Sequence, residues 1–277
     1  MTITTRDQII DGLANNNDRI MWDKASIATQ VVGQYCSLWR GTGVPAQGAI
    51  PAAAAYCTKA LTGSIAFTNQ TGPATSYLGY HTFLAGTDNT NLEIHDRLAH
   101  MGGLNGTLLT AQTVGIDLST INAGGPVASE RLGASDYSDV MWFLEWYTAT
   151  GATASNATVN VTYSDGSTGN LAVISVGGTA VAASQCRQLI SASNGLFIRG
   201  VNSVTLSAST ETAGSFGVTA TRQRASMSAP IANKIEIFDW AALGFPHIPN
   251  DSCLFGMLLS SATSTGTIKG QGKIIHG

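Results

Sequence analysis

The densest set of chemically active side chains lies in residues 91–113, which read NLEIHDRLAHMGGLNGTLLTAQT. Two of the five histidines, His95 and His100, flank an adjacent acid and base, Asp96 and Arg97. Histidine beside a carboxylate is the combination used in general acid–base catalysis, and histidine is also the commonest metal ligand. Taken alone, the segment is compatible with a hydrolase centred on His95, Asp96 and His100, or with a metal site.

The spacing argues against both chemical interpretations. Residues five apart do not share a helix face, and on a strand they point to opposite sides, so joint metal ligation would need a loop. In the structural alternative, Asp96 caps a short helical turn that ends at Gly102-Gly103. His100 then lies near the negative end of the helix dipole, and Arg97 ties loops together through its forked donors. We favour this alternative and predict no catalytic, cofactor-binding or metal-ligating residues.

Other catalytic signatures are absent from the sequence. There is no G-x-S-x-G, H-E-x-x-H, S-x-x-K, Walker A or G-x-G-x-x-G motif in the required context. The segment GTIKGQGK has the wrong spacing for a phosphate loop, and no Ser or Thr follows Lys273. We therefore expect a protein that is not an enzyme and needs no cofactor.

The aromatic residues of VMWFLEWYT suggest a further class of function. Trp142, Trp146 and Tyr147 would stack on sugar rings if they formed an exposed row, as in a carbohydrate-binding module for host glycans. However, the segment is apolar on both faces, which is typical of a strand buried on both sides. We favour a core position for these rings.

Composition restricts the class of protein. Charged residues are 11% of the 277 positions, whereas an average soluble domain has about 25%. The net charge is −3, and no basic cluster exceeds the pair Arg222 and Arg224. Because phosphate neutralisation supplies most nucleic-acid affinity, we disfavour nucleic acid as a direct partner. Low charge with abundant Gly, Ser and Thr is typical of virion, fibre and extracellular β proteins.

Compartment and thiol chemistry follow from the same sequence. The N-terminal MTITTRDQII is interrupted by Arg6 and Asp7 and lacks the apolar run of a signal peptide, and no segment approaches a membrane span. We therefore expect the chain to stay in a cytoplasm, without a membrane partner. The four cysteines lie at wide spacing without C-x-x-C pairs, so we expect four buried thiols rather than zinc ligands or disulfides. They are Cys36, Cys57, Cys186 and Cys253.

Helical signals are confined to the N-terminal region. Thr5 and Gln8 form a capping box, followed by a short apolar stripe. The spacing of apolar residues predicts a second helix over about residues 24–40, and Pro51 favours a short helix in PAAAAYCTKAL. We interpret residues 1–90 as a helical and extended anchoring region.

From about residue 104 the pattern becomes β. Asp165-Gly166 predicts a hairpin after the alternating strand at 159–163, and alternation at 203–208 and 215–220 predicts another. Near the C-terminus, Lys269, Gln271 and Lys273 share one strand face, which we interpret as a solvated edge strand; the alternative is a contact stripe for an acidic partner. The predicted fold class is mainly β: a jelly-roll-like β-sandwich over residues 91–277 with a short helical N-terminal region.

A family resemblance covers residues 91–222. The ordered segments are E-I-H-D-R-L-x-H-x-G-G-L, T-A-Q-T, W-F-L-E-W-Y-T, V-T-Y, V-T-L-S-A-S-T and F-G-V-T. This set resembles a group of tailed-bacteriophage virion structural proteins, and IANKIEIFDWAALGFPHIPNDSCLFGMLL is similar to their C-terminal part. No catalytic residues come with the resemblance.

The resemblance and the composition together predict a capsid decoration or cementing protein. Its partners would be the major capsid protein or other virion proteins, and it would act as a homo-oligomer, with a trimer favoured. We expect it in the virion, assembled in the host cytoplasm. The alternatives are a tail or head–tail connector component, the carbohydrate-binding module and, least favoured, the hydrolase.

Overall fold

The computed structural model describes residues 2–120, 126–191 and 195–277, and most of its regular structure is strand. Its helices are α1 (Arg6–Ala14) and α2 (Ser129–Leu132). Its strands are β1 (Asn17–Lys24), β2 (Tyr35–Ser37), β3 (Gly43–Val44), β4 (Ala55–Tyr56), β5 (Ser76–Ala85), β6 (Thr90–Asn105), β7 (Gln112–Asp117), β8 (Met141–Trp146), β9 (Asn156–Tyr163), β10 (Thr168–Asn170), β11 (Ile174–Ser175), β12 (Cys186–Leu189), β13 (Ile198–Leu206), β14 (Ser215–Ala229), β15 (Glu236–Asp239), β16 (His247–Ile248), β17 (Leu254–Leu259) and β18 (Ile268–His276).

The chain divides into two compact units. Unit 1 consists of residues 1–48, 58–96 and 223–277, and unit 2 of residues 49–57 and 97–222. Strands β6 and β14 contribute residues to both. This division does not follow the predicted boundary at residue 90, because strands from the two ends of the chain pair with each other.

Unit 1 is a β-sandwich built from distant parts of the sequence. One sheet has the order β15-β5-β18-β1-β3, and in the other layer β17 pairs with β2 and with the first part of β6. Their inner faces share one apolar core, to which Trp22, Phe83, Leu92 and Leu258 belong. β1 with β18 is an antiparallel pair of chain segments more than 240 residues apart, so only the folded sheet brings these residues together.

Unit 2 is a second sandwich. The sheet β10-β9-β13-β7 covers one side, and β8 with its partners β12 and β14 covers the other. The two layers bury a common core that includes Val161, Val204, Leu144 and Val218. With the short helix α1 preceding β1, this architecture confirms the predicted fold class: mainly β, a β-sandwich with a short helical N-terminal region.

Local sequence signals explain several elements. The Thr5 hydroxyl accepts a hydrogen bond from the Gln8 backbone amide, and Gln8 Oε1 accepts one from the Thr5 backbone amide, so the predicted capping box starts α1. β8 is buried on both faces, as predicted. The hairpin of β9 and β10 is also confirmed, with Gly166 at φ +90° in its turn.

Three predicted elements are wrong. Residues 24–40 form no second helix, and residues 51–61 form no helix either; instead they contain β2 and β4, whose pairing with β17 and β6 outweighs local propensity. The predicted hairpin of residues 203–220 is replaced by β13 and β14, which lie in opposite layers of unit 2. Both strands bury their apolar faces in the shared core, which satisfies the alternation without pairing them.

The lysine-bearing strand β18 is also placed differently from the prediction. It pairs with β5 on one side and with β1 on the other, so it is an interior strand and not an edge. Lys269 lies 3.6 Å from Asp23, and the Lys273 ammonium donates to the Leu13 carbonyl. The lysine face is therefore partly engaged within unit 1.

His81 is one of the buried histidines of unit 1. His81 on β5 is fully buried, and a side chain at Gly272 would place its Cβ 2.8 Å from the His81 ring. The glycine therefore leaves the space that the imidazole occupies. Burial lowers the pKa of His81 to about 4, so the ring is neutral in the folded chain at neutral pH.

His81 should make the fold sensitive to acid. An unfolded histidine takes up a proton near pH 6.5, whereas folded His81 does so only near pH 4, so stability falls as the pH drops through this window. The expected loss is up to about 3 kcal/mol of unfolding free energy. In His81→Leu this pH dependence should become flatter, measured by urea unfolding at neutral pH and at about pH 4.5. Ile20→Val, in the same core, should shift the unfolding free energy equally at both pH values. An unchanged pH dependence in His81→Leu would contradict the assignment.

Candidate functional site

The segment with the strongest chemical signal is a buried strand. Residues 92–100 lie within β6, and every one of them is buried. The predicted helical turn capped by Asp96 is therefore wrong. A turn would satisfy only local amides, whereas an interior strand offers both of its faces to partners on neighbouring strands.

The first half of this strand belongs to unit 1. His95 Nε2 lies 2.8 Å from Glu93 Oε2, and the Tyr35 hydroxyl donates to Glu93 Oε1 at 3.4 Å. Burial, reinforced by the Glu93 carboxylate, raises the pKa of Tyr35 to about 12. Tyr35 is thus a neutral hydrogen-bond donor at neutral pH, and its role here is to hold Glu93.

Asp96 is the second acid of the segment, also in unit 1. Its Oδ1 accepts the backbone amide of Cys253 at 2.8 Å, and its Oδ2 accepts Arg224 Nη2 at 3.1 Å. The side chains of Asp96 and Arg224 are 0% and 4% exposed, so this ion pair is shielded from water. Asp96 thereby fixes the chain just before β17.

The second half of the strand belongs to unit 2 and contains what we name the Arg97 cluster: Arg97, His100, Glu145, Tyr147 and Thr219. Arg97 Nη2 donates to Glu145 Oε2 at 2.6 Å, to the Tyr147 hydroxyl at 3.1 Å and to Thr219 Oγ1 at 3.0 Å. Arg97 Nε donates to His100 Nδ1 at 3.0 Å. All five residues are buried, and they join β6, β8 and β14.

Charge states in the Arg97 cluster follow from burial and from the ion pair. Burial opposes the charge on the guanidinium, but the Glu145 carboxylate outweighs it and raises the pKa of Arg97. Burial and then Glu145 raise the pKa of Tyr147, and burial and then Arg97 lower the pKa of His100 to about 3. His100 is therefore neutral and accepts at Nδ1.

These charge states decide what the Arg97 cluster can do. A general acid or base needs a pKa near the working pH and access to the reacting group. The pKa values of Arg97 and Tyr147 are raised and that of His100 is lowered, so all three lie further from pH 7 than usual. The three side chains are also buried. The arrangement is suited to holding three strands in register.

Arg131 on α2 is a buried residue that the sequence reasoning missed. Its Nη1 donates to the Cys57 carbonyl at 2.8 Å, its Nη2 donates to the Arg97 carbonyl at 3.1 Å, and its guanidinium lies 5.0 Å from the centre of the Tyr56 ring. Only the fold brings these groups together, because Arg131 is 74 residues from Cys57. This arginine satisfies carbonyls beside the Arg97 cluster.

The aromatic row that suggested sugar binding is buried. Trp142, Trp146 and Tyr147 are 1%, 1% and 3% exposed. Trp142 donates to the Ile198 carbonyl at 2.8 Å, and Trp146 stacks on Phe216 with ring centres 5.3 Å apart. The core interpretation of these rings is confirmed.

A serine–histidine–aspartate chain occurs elsewhere in unit 1. Ser76 Oγ lies 2.9 Å from His276 Nδ1, and His276 Nε2 lies 3.0 Å from Asp18 Oδ2. The three residues stand on β5, β18 and β1, which are neighbours in one sheet. No sequence signal could have found this set, since the spacing carries no motif.

This chain has the order of groups found in nucleophilic triads but not their accessibility. A nucleophilic serine must reach a substrate carbonyl, whereas Ser76 is 1% exposed and His276 is 6% exposed. Asp18 also accepts the Thr68 hydroxyl at 3.2 Å, which fixes its carboxylate. The three groups therefore tie adjacent strands together at the end of the sheet.

Residues 2–120, 126–191 and 195–277 contain no group of three or more His, Cys, Asp or Glu side chains placed to hold a metal ion. No helix among them has the length and apolarity needed to cross a lipid bilayer. All four cysteines are buried and free, as expected.

Removal of Arg97 should be far more damaging than removal of the ion pair as a whole. Arg97→Met leaves the Glu145 charge buried without its counter-ion, at an expected cost of about 3–5 kcal/mol of unfolding free energy. Arg97→Met with Glu145→Leu should lose less than Arg97→Met alone. Denaturant unfolding checks this order.

The half-exposed pair Arg222–Asp139, at 3.2 Å, provides the matched control. Arg222→Met should cost no more than about 1 kcal/mol, because exposed ion pairs contribute little. The coupling would be contradicted if the double variant lost as much unfolding free energy as Arg97→Met and Glu145→Leu lose separately when their losses are added.

The Ser76 chain should behave as a structural link. Ser76→Ala should lower the unfolding free energy by about 1 kcal/mol, the usual contribution of one hydrogen bond. A fluorophosphonate probe should leave Ser76 unmodified in the native chain, as read by peptide mass spectrometry. Stoichiometric labelling of Ser76 under native conditions would contradict this role and identify a reactive nucleophile.

Comparisons with known proteins give no close relative. No family model matches the chain, and no curated protein matches it. Among solved structures, the VP2 subviral particle of infectious bursal disease virus aligns over 94% of this chain and 79% of its own, with 10% identity and a TM-score of 0.19. The structure of the Gt strain of the same virus aligns over 94% and 81%, with 11% identity and a TM-score of 0.17. Similarity at this level carries no inference about the fold or function of this chain.

Proposed function

We propose that this chain is a structural component of a virus particle, and specifically a decoration or cementing protein on the head of a tailed bacteriophage. It binds between major capsid subunits as a homo-oligomer. By burying surface against the capsid subunits at lattice junctions, it stabilises the head against the pressure of the packaged DNA. It is assembled in the host cytoplasm and remains in the virion.

The observation that carries this proposal is that the chain has few charged side chains and buries several of them. Charged residues are 11% of the chain, and five in the segment Glu93–His100 and its partners are buried: Glu93, Asp96, Arg97, Arg131 and Glu145. The charges that remain for the surface are few. A protein that buries large areas against partners benefits from this, because hiding a charge costs far more than hiding a hydroxyl or an amide.

One sheet of unit 2 illustrates such a neutral polar surface. Asn160 accepts from Asn202 at 2.9 Å and donates to Asn170 at 2.8 Å, and Thr162 donates to Asn202 at 3.1 Å. Asn160 and Asn202 are partly exposed, Asn170 is exposed and Thr162 is buried beneath them, and these side chains satisfy one another across β10, β9 and β13. A partner can cover the row without stripping water from an ion.

The resemblance of residues 91–222 to tailed-phage virion proteins supports the same class. A tail or head–tail connector component is the second candidate, since the same composition and resemblance are compatible with it. The carbohydrate-binding hypothesis required an exposed row of aromatic rings. Trp142, Trp146 and Tyr147 are buried in the core, so this support is absent.

Position in the particle tests the proposal. Virions of the virus that encodes this chain are purified by density gradient and labelled with gold-conjugated antibody against the purified chain. The expected result is label on heads, with the chain present in purified virions by mass spectrometry. Label confined to tails would replace the decoration role with the tail role, and absence from purified virions would overturn the virion proposal.

A further inference from the structure

The sheet β15-β5-β18-β1-β3 of unit 1 has an outer face that helix α1 covers only in part. On β18, Ile274 belongs to the core of unit 1, so the next residue, Ile275, points to the opposite, outer face. Ile9 and Leu13 of α1 pack with Ile275 there. On the same outer face, Met21 of β1 is 56% exposed, so the helix leaves part of the sheet uncovered.

Helix α1 forms a firmly attached ridge on this face. A Cβ added at Gly12 would come within 3.1 Å of the Ile275 Cβ, so helix and sheet are in close contact. At the end of the helix, Lys273 donates to the Leu13 carbonyl, and the Asn17 side chain donates to the Gly12 and Leu13 carbonyls. These bonds tie the end of α1 to β1 and β18.

The side of α1 that faces away from the sheet combines an isoleucine with two acids. Asp7, Ile10, Asp11 and Ala14 are spaced i, i+3, i+4 and i+7, so they share one stripe of the helix. All four are exposed, and Ile10 is 64% exposed. The ridge therefore presents a large apolar side chain flanked by carboxylates.

A shallow groove of about 300 Å³ lies on the uncovered part of the same face. Its outward-facing lining residues include Met21, Asp23, Leu84, Ile235, Lys269 and Gln271. Ile235 is 59% exposed, like Met21 at 56%. Large apolar side chains grouped in this way mark association surfaces more often than isolated ones do.

Strand register gives the border of the groove a net positive charge. The charged residues that β1 and β18 present on the outer face are Arg19, Asp23, Lys269 and Lys273. Asp23 is opposite Lys269, whereas Arg19 is directly opposite Lys273, and such like charges repel. β5 contains no charged residue, and β15 adds Asp239 opposite Tyr80. An acidic partner surface would relieve the repulsion between Arg19 and Lys273.

We propose that the ridge and the groove are the two halves of a homodimer contact, in which α1 of each copy lies in the groove of the other. Ile10 then packs against Met21 and Ile235, and Asp7 and Asp11 face the cationic border. A two-fold axis parallel to the sheet, running between the ridge and the groove, produces both contacts at once, so the interface is isologous. The inference deepens the proposed assembly function and rests on it only for its biological setting.

A second copy suits the groove because each surface supplies what the other lacks. The ridge offers an exposed isoleucine and two carboxylates, and the groove offers exposed apolar side chains with a net positive border. Association removes the apolar groups from water and brings opposite charges together. Since the ridge and the groove lie on one face, they form a pair of copies; a ring of three would need them on two faces inclined to each other.

Substitutions at the two contact points test this arrangement. The mass of the purified full chain is measured by light scattering and sedimentation over a concentration series, in which the wild-type chain should dimerise. Ile10→Lys and Met21→Glu should each raise the dimer Kd at least about tenfold, because the lysine faces the cationic border and the glutamate faces Asp7 and Asp11. The double variant brings lysine against glutamate, so it should dimerise more tightly than either single variant.

A substitution outside the contact provides the matched control. Ile190→Lys, at a 71% exposed isoleucine of unit 2, should leave the dimer Kd unchanged. Circular dichroism and thermal melting check that each variant is folded.

Cross-linking between two variants tests the geometry. All four native cysteines are buried, so a thiol introduced at position 10 or 21 is the accessible one. A mixture of Ile10→Cys and Met21→Cys chains, treated with a short bismaleimide, should give a dimer joined through positions 10 and 21, as read by peptide mass spectrometry. Each variant alone should give much less cross-linked dimer, because position 10 faces position 21 of the other copy.

Several outcomes would overturn the proposal: a monomeric wild-type chain, a Kd unchanged by Ile10→Lys or Met21→Glu, a double variant no tighter than the single variants, an equal loss in Ile190→Lys, or a mixture that cross-links no better than its components. Such a result, with the chain still found on virions, removes the dimer contact and leaves the proposed function standing. Dimerisation as expected, with the chain absent from virions, has the opposite meaning.

Discussion

The structure of unit 2 depends on one buried ion pair. Arg97 on β6 and Glu145 on β8 meet at 2.6 Å across the intervening strand β14, with side chains 0% and 1% exposed. In a low-dielectric interior a charge without its counter-ion is very costly, so the pair is tolerable only while both partners and the surrounding hydroxyls keep their positions. Tyr147 and Thr219 complete this arrangement, and any slip of β8 or β14 against β6 would break it. We infer that the pair specifies register as much as it adds stability.

The same arrangement recurs in unit 1. Asp96 is held by Arg224 and by the Cys253 amide, and His276 joins Ser76 to Asp18 across three strands. Groups that elsewhere perform catalysis are used here to fix one strand against another. The chain has few charged residues, and several of them are buried, so its surface consists largely of hydroxyls, amides and small residues. Covering such a surface in an assembly costs little desolvation free energy.

Prediction from sequence succeeded where the determinant was local. The capping box of Thr5 and Gln8, the hairpin at Gly166 and the two-sided burial of β8 all depend on residues within a few positions of each other. It failed where the determinant was a distant strand. Residues 24–40 have helical spacing, yet Tyr35, Cys36 and Ser37 pair with β17 instead. The Ser76 chain joins residues up to 258 positions apart, so no spacing rule could reveal it.

The sequence by itself determined that this is a mainly β protein with a short helical start, low surface charge and one unusually polar segment, since composition and alternation follow from the residues alone. Only the tertiary structure decided what that segment is. Glu93–His100 has no helical or strand preference strong enough to settle its conformation, and its polar side chains can be buried only if partners from β8, β14 and β17 arrive together. That requirement is nonlocal, which is why the same residues suggest a reactive site in the sequence and form an internal scaffold in the fold.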